Sequence, residues 1–142
     1  MTTALQAEQS TMSDVAEEFR VTRVRALRGP NYWRLAPVVA CDHERAALDA
    51  AAASARGNGV ELELVRVDLR REAPPHASTV TANLTAPLLC EVAARSEEPP
   101  MRIVCSGMLR PEVDEVAEAF ARRGLAERER RSSGDWAALF LA

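Results

Sequence analysis

Short apolar runs alternate along this chain with longer stretches of helical period. Val38-Val39-Ala40-Cys41 is an uninterrupted apolar run, the pattern of a strand buried on both faces. From Asp42 to Arg56 the apolar period becomes that of a helix. Asp42 stands where a cap is needed, Glu44 falls in the first turn, and Arg56-Gly57 closes the segment. Val60 to Val67, VELELVRV, alternates as a strand does. Pro74-Pro75 opens a loop, Thr79 to Ala82 is another short buried strand, and a helix over 86–95 must stop before Pro99-Pro100. Met101 to Cys105 forms the next strand.

The best-marked helix is PEVDEVAEAFARR, residues 111–123. Pro111 suits its first turn, Glu112, Asp114 and Glu115 sit at the positive end, and Arg122-Arg123 sit at the negative end before Gly124. Val113, Val116, Ala117 and Phe120 make its buried stripe. Strands over 125–131 and 136–141 are joined by the hairpin turn Ser132-Ser133-Gly134-Asp135. Upstream, residues 1–18 read as a polar tail, FRVTRVRAL (19–27) has the partial alternation of a strand, and RGPNYWRLAP is turn chemistry. The order is βαβ twice, then a helix and an antiparallel hairpin. That order requires an α/β fold: a doubly wound, mainly parallel, Rossmann-like sheet with helices on both faces and a C-terminal hairpin.

Composition narrows the chemistry. The chain of 142 residues has the size of one domain, and a hydrophobic share of 47% supports a packed core. A net charge of -3 gives no electrostatic case for nucleic acid or an anionic membrane. No lysine occurs, which removes Schiff-base chemistry and a phosphate-loop lysine. Cys41, Cys90 and Cys105 form no close pair and read as reduced thiols; His43 and His76 lack ligand-spaced companions, so no metal is expected. The first eighteen residues have neither the basic start nor the apolar centre of a signal peptide, and no segment is long enough to span a bilayer, so the cytoplasm is the expected compartment.

Five segments in register carry a resemblance. "VVACDHERAALDAA", "GNGVELELVRVDL", "TVTANLTAPLL", "RIVCSGMLRPEVDEVAEAF" and "GDWAALFL" are similar, in that order, to the C-terminal catalytic half of the bacterial ribosomal protein L11 methyltransferases. These are class I enzymes that use S-adenosylmethionine. The resemblance divides the chain into an N-terminal segment of unclear origin, 1–36, and a methyltransferase-like domain, 37–142. It implies that Asp42 holds the ribose hydroxyls of S-adenosylmethionine and that Asp68 accepts from the adenine amino group while Leu69 packs on the ring. It implies further that Asn83 accepts an N–H of the incoming amine, with Leu84 as wall. The acceptor is then an amine of a ribosomal protein. Each residue also has a plain reading: a helix cap for Asp42, a loop aspartate for Asp68, and an Asx-turn or cap before the 86–95 helix for Asn83. The charges from Arg122 to Arg131 interleave with Glu127 and Glu129 and read as a solvated face, and His43 as an exposed residue at a helix start.

The chain departs from that family at one place. The family's catalytic domain opens with a strand and a turn of several glycines against the methionine end of the cofactor. Residues 1–37 hold one glycine, Gly29. Residues 23–33, RVRALRGPNYW, instead look like the opening segment of cyanophycin synthetases, from which no activity is transferred. In the methyltransferase sheet the first strand lies in the middle, so its loss exposes two edges of unpaired main-chain groups. FRVTRVRAL is the candidate to fill that place, although its arginines suit a central strand poorly. Two rival functions follow: a non-catalytic remnant or interaction module of the same fold, and a dinucleotide-binding domain with Asp42 on the ribose of NAD.

Overall fold

The computed structural model describes residues 38–142. The strand expected over 19–27, the turn after it and the remainder of the N-terminal segment lie outside the described residues. Six strands and three α-helices follow in the order β1 (Val39–Asp42), α1 (Arg45–Asn58), β2 (Glu63–Arg66), β3 (Thr79–Asn83), α2 (Ala86–Arg95), β4 (Arg102–Leu109), α3 (Val113–Ala121), β5 (Glu127–Ser133) and β6 (Trp136–Leu141). The strands make two sheets. β1 and β2 pair in parallel, with Ala40 opposite Leu64. The other sheet has the order β3-β4-β6-β5, parallel at β3–β4 and antiparallel from there on.

The core lies under the four-stranded sheet. Leu89 and Val92 of α2, Val116 and Phe120 of α3, Ile103 of β4 and Leu139 of β6 pack in one cluster. Full burial of each such side chain stabilises the fold by about 1.5–3 kcal/mol. Residue Ala119, rather than Ala117, completes the buried stripe of α3; Ala117 is only partly buried against the cluster. The smaller sheet is thinly covered. Only Leu48 and Ala55 of α1 and Val67 after β2 are buried there, and all four residues of β1 are half-buried. The expectation of a β1 buried on both faces is therefore corrected. Among the described residues it has a neighbour on one edge only, and its apolar faces are not sealed.

Several boundaries also move, each for a local reason. β1 runs through Asp42, so Glu44 is the N-cap of α1 in place of Asp42, and no acid lies in the first turn. α1 passes Gly57 and ends at Gly59, whose φ of 63° lets its N–H reach the carbonyls of Ala55 and Arg56. β2 is shorter than VELELVRV, with Val60 and Leu64 exposed. The 111–123 helix splits into a 3-10 turn at Arg110–Glu112 and α3, because the Glu112 carboxylate accepts the Leu109 N–H at 2.7 Å. In the hairpin, Ser132 and Ser133 belong to β5 and only Gly134-Asp135 turn, with Gly134 at φ 56°.

Candidate functional site

Parallel strands bring their carboxyl ends to one rim, and loops there carry ligands in open α/β sheets. Asp42 closes β1. Its Oδ1 accepts the Glu44 N–H at 2.8 Å and lies 3.3 Å from His43 Nδ1, while the carboxylate remains substantially exposed. The side chain thus turns the chain towards α1 without capping it. Beside it, the Asp42 carbonyl accepts the Val67 N–H at 3.1 Å, which sets Asp68 at the neighbouring strand end.

Asp68 organises its own turn. Its Oδ1 accepts the Arg70 N–H at 3.1 Å, its carbonyl accepts from Arg71 and Glu72, and its N–H donates to Glu72 Oε2 at 2.8 Å. Leu69, next along, packs against the main core, and its carbonyl accepts Arg95 Nη1 at 3.0 Å. This turn ties the small sheet to α2. It also carries Arg70 across the rim to the end of β3.

Asn83 ends β3, with Leu84 after it. A Ser106 Oγ–H donates to Asn83 Oδ1 over 3.3 Å, and the Leu84 N–H donates to the Ser106 carbonyl at 2.9 Å. Asn83 does not cap α2, whose N-cap is Thr85 with no side-chain bond. The approach of β3 to β4 depends on Gly107, at φ +87°: a Cβ there would meet Asn83 Oδ1 at 2.7 Å and the Leu84 carbonyl at 2.8 Å. β4 consequently runs on to Leu109, past the Cys105 expected as its end, and its register against β6 shifts between Cys105 and Met108.

A cleft of about 470 Å³ opens at this corner, lined by Arg70, Asn83, Leu84, Thr85, Leu88 and Glu91. Asn83 and Leu84 line it; Asp42, Asp68 and Leu69 lie along the rim outside it. Arg70 and Gly107 were not singled out from the sequence. The signal for Gly107 was there, a lone glycine inside an apolar strand run, which marks a bulge or a close backbone approach. No group of three or more metal-ligating side chains is found among the described residues. Nor does any described helix have the length and apolarity to cross a membrane.

A family model described as ribosomal protein L11 methyltransferase (PrmA) matches residues 34–142. The chain belongs to the ribosomal protein L11 methyltransferase family. Among solved structures it is similar to the ribosomal protein L11 methylase of Lactobacillus delbrueckii subsp. bulgaricus, at 20% identity and a TM-score of 0.64. That match covers 74% of this chain and 57% of the other, so the chain spans little more than half of that methylase's length. The 16S rRNA methylase RmtB aligns at 15% identity and a TM-score of 0.56, covering 75% of this chain and 47% of the other. The Pyrococcus abyssi tRNA (uracil-54, C5)-methyltransferase, solved with S-adenosyl-L-homocysteine, aligns at 20% and 0.53, covering 74% and 28%. No curated protein sequence matches. These likenesses establish the methyltransferase fold.

Proposed function

We propose that this domain, residues 37–142, takes S-adenosylmethionine at the carboxyl rim and directs its methyl group to an amine of a ribosomal protein, with residues 1–36 as a segment apart. One observation carries the reading. The side-chain carbonyl of Asn83 is held at the lip of the cleft by Ser106, with Leu84 as its wall.

The rim residues suit the adenosine half of the cofactor. Asp42 and Asp68 place carboxylates at adjacent strand ends, as acceptors for ribose hydroxyls and an adenine amino group. The methionine half has no glycine cradle among the described residues, whose glycines lie near the end of α1, in β4, after α3 and in the hairpin. When bound, S-adenosylmethionine supplies an electrophilic methyl carbon on a sulfonium. Asn83 Oδ1 would accept one N–H of the neutral amine and so aim its lone pair; Leu84 and Leu88 would keep water out. Displacement in line needs alignment more than acid–base chemistry, so a neutral acceptor such as Asn suffices.

A protein acceptor is favoured over RNA because the exposed arginines near the hairpin are already engaged. Arg130 pairs with Glu127 and Asp114 at 2.8 Å each, and Arg131 with Glu129 at 2.6 Å. A ribosomal acceptor and three free thiols fit a cytoplasmic setting. Transfer of tritiated methyl to ribosomal protein L11 by the folded chain is the test; no incorporation would reject activity. The second reading, a non-catalytic remnant or interaction module, is favoured by the lack of a glycine cradle for the methionine end among the described residues. Calorimetry with S-adenosylhomocysteine separates the two, since a remnant gives no heat.

A further inference from the structure

Leu88, Glu91 and Arg95 are spaced by three and then four residues, which puts them on one face of α2. Leu88 and Glu91 line the cleft, and Arg95 continues the stripe to the last residue of the helix. There Arg95 Nη2 pairs with Glu91 Oε2 at 2.8 Å, and Nη1 donates to the Leu69 carbonyl at 3.0 Å. The second bond leaves the helix and reaches the turn after β2, 26 residues back along the chain. With the Arg95 side chain 34% exposed, both contacts are partly shielded from water, which strengthens them. A positive charge suits the carboxyl end of any helix, but the macrodipole alone asks for no partner in another element.

Most bonds of that turn are internal. The Asp68 carbonyl accepts from the Arg71 and Glu72 N–H groups, its Oδ1 from Arg70, and Glu72 Oε2 accepts the Asp68 N–H. Such bonds fix the shape of the turn but not where it stands against the rest of the fold. Two residues set its place. The Val67 N–H donates to the Asp42 carbonyl, while Leu69 packs against the core and gives its carbonyl to Arg95. Asp68 stands between these anchors. Its Oδ2 has Arg71 Nε 3.8 Å away, beyond hydrogen-bond reach, and is the oxygen that can still accept. With the Arg95 bond gone, apolar contact alone would hold the Leu69 side, and apolar contact is non-directional.

We propose that Arg95 is a positioning residue for adenine recognition: clamped by Glu91, it fixes the Leu69 carbonyl and so aims Asp68 Oδ2 at the exocyclic amino group of the cofactor. The inference rests on the adenine role given to Asp68 above and adds the residue that makes this contact selective. Orientation matters because a hydrogen bond weakens steeply once its angle is lost. Lysine is no substitute: a guanidinium fork engages carboxylate and carbonyl at a fixed angle, whereas an ammonium is a point charge on a flexible stem.

The test compares S-adenosylhomocysteine with its analogue bearing purine in place of adenine, which lacks only the exocyclic amino group. Calorimetry on the native chain should show a preference for the adenine ligand of about tenfold or more, the strength of a hydrogen bond to a charged acceptor. Arg95→Met and Arg95→Lys should each bring that ratio to about threefold or less. A merely structural loss would weaken both ligands alike and leave the ratio unchanged. In an Asp68→Asn chain, whose ratio is already low, Arg95→Met should alter it no further, since both residues act through one contact. Without ligand, Arg95→Met should speed amide hydrogen exchange at Arg71 and Glu72 and leave β5 and β6 as they were. The proposal is overturned if the native ratio survives either substitution, or if exchange in the turn does not change. Native binding without preference removes the roles of Asp68 and Arg95 together, and no binding of either ligand rejects the cofactor reading itself.

Discussion

Gly107 and Asn83 are in contact across β3 and β4: a Cβ on Gly107 would stand 2.7 Å from Asn83 Oδ1, and the φ of +87° at Gly107 is one that side chains rarely adopt. Gly107→Ala therefore meets both backbone strain and collision with the neighbouring carbonyl of Leu84. It should cost about 1–3 kcal/mol in urea unfolding. It should also displace Asn83 and lower methyl transfer further than the loss of folded protein explains. A variant with unaltered stability would show that the two strands can separate freely at this corner.

Asp42 has a turn-forming role and a proposed ligand role, and one substitution separates them. Asp42→Asn keeps an oxygen for the Glu44 N–H, now 2.8 Å away, and removes only the charge. Stability should stay within about 0.5 kcal/mol, as for exposed sites in general. Affinity for S-adenosylhomocysteine should fall about tenfold or more, because a charge-assisted contact contributes about 1.5–3 kcal/mol. Equal affinities by calorimetry would leave the carboxylate with the turn alone.

Phe120 lies among the largest fully buried side chains, on the face of α3 that meets the core. Phe120→Ala should destabilise the fold by about 3–5 kcal/mol, read as a shift in the denaturant midpoint. Leu48→Ala, in the thinly covered β1–β2 layer, should cost about 2 kcal/mol, at the low end of the range for large-to-small changes, because more of the site can relax into solvent. Equal losses at the two positions would mean that the small sheet is packed as tightly as the large one.

How far the sequence reveals the fold depends on whether each element is specified locally. α2 matches its expected bounds at both ends because Pro87 marks its start and Pro99-Pro100 forbids a longer helix. The apolar run from Met101 predicts an end of β4 at Cys105. Only pairing with β6 reveals that the strand passes through a bulge. Asp42 looked like a cap because nothing local records that β1 extends one residue further. The rim residues came from family resemblance, and Asn83 is brought to the cleft that Arg70 also lines. Arg70 gave no signal, because its position follows from the path of a loop.

Cys105 links this core to pH. It is fully buried in β4, and burial, with a smaller contribution from the charge of Cys90, pushes its thiol up to about 12 from an ordinary 9.0. A group raised in this way favours folding fully below the unfolded value, and that contribution is lost as pH climbs towards the folded one. The unfolded chain ionises first. Between pH 8 and pH 10.5 the thiol should thus cost about 2 kcal/mol of stability. The measurement is the difference in urea midpoints between the native chain and Cys105→Ala, which cannot ionise and adds no bulk to the core. The gap should narrow or reverse as pH rises, in favour of the variant. At pH 8, thiol reagents should label the half-buried Cys41 and Cys90 first and reach Cys105 only through unfolding. A midpoint difference that stays flat from pH 8 to 10.5 would mean that the Cys105 thiolate is tolerated inside the sheet.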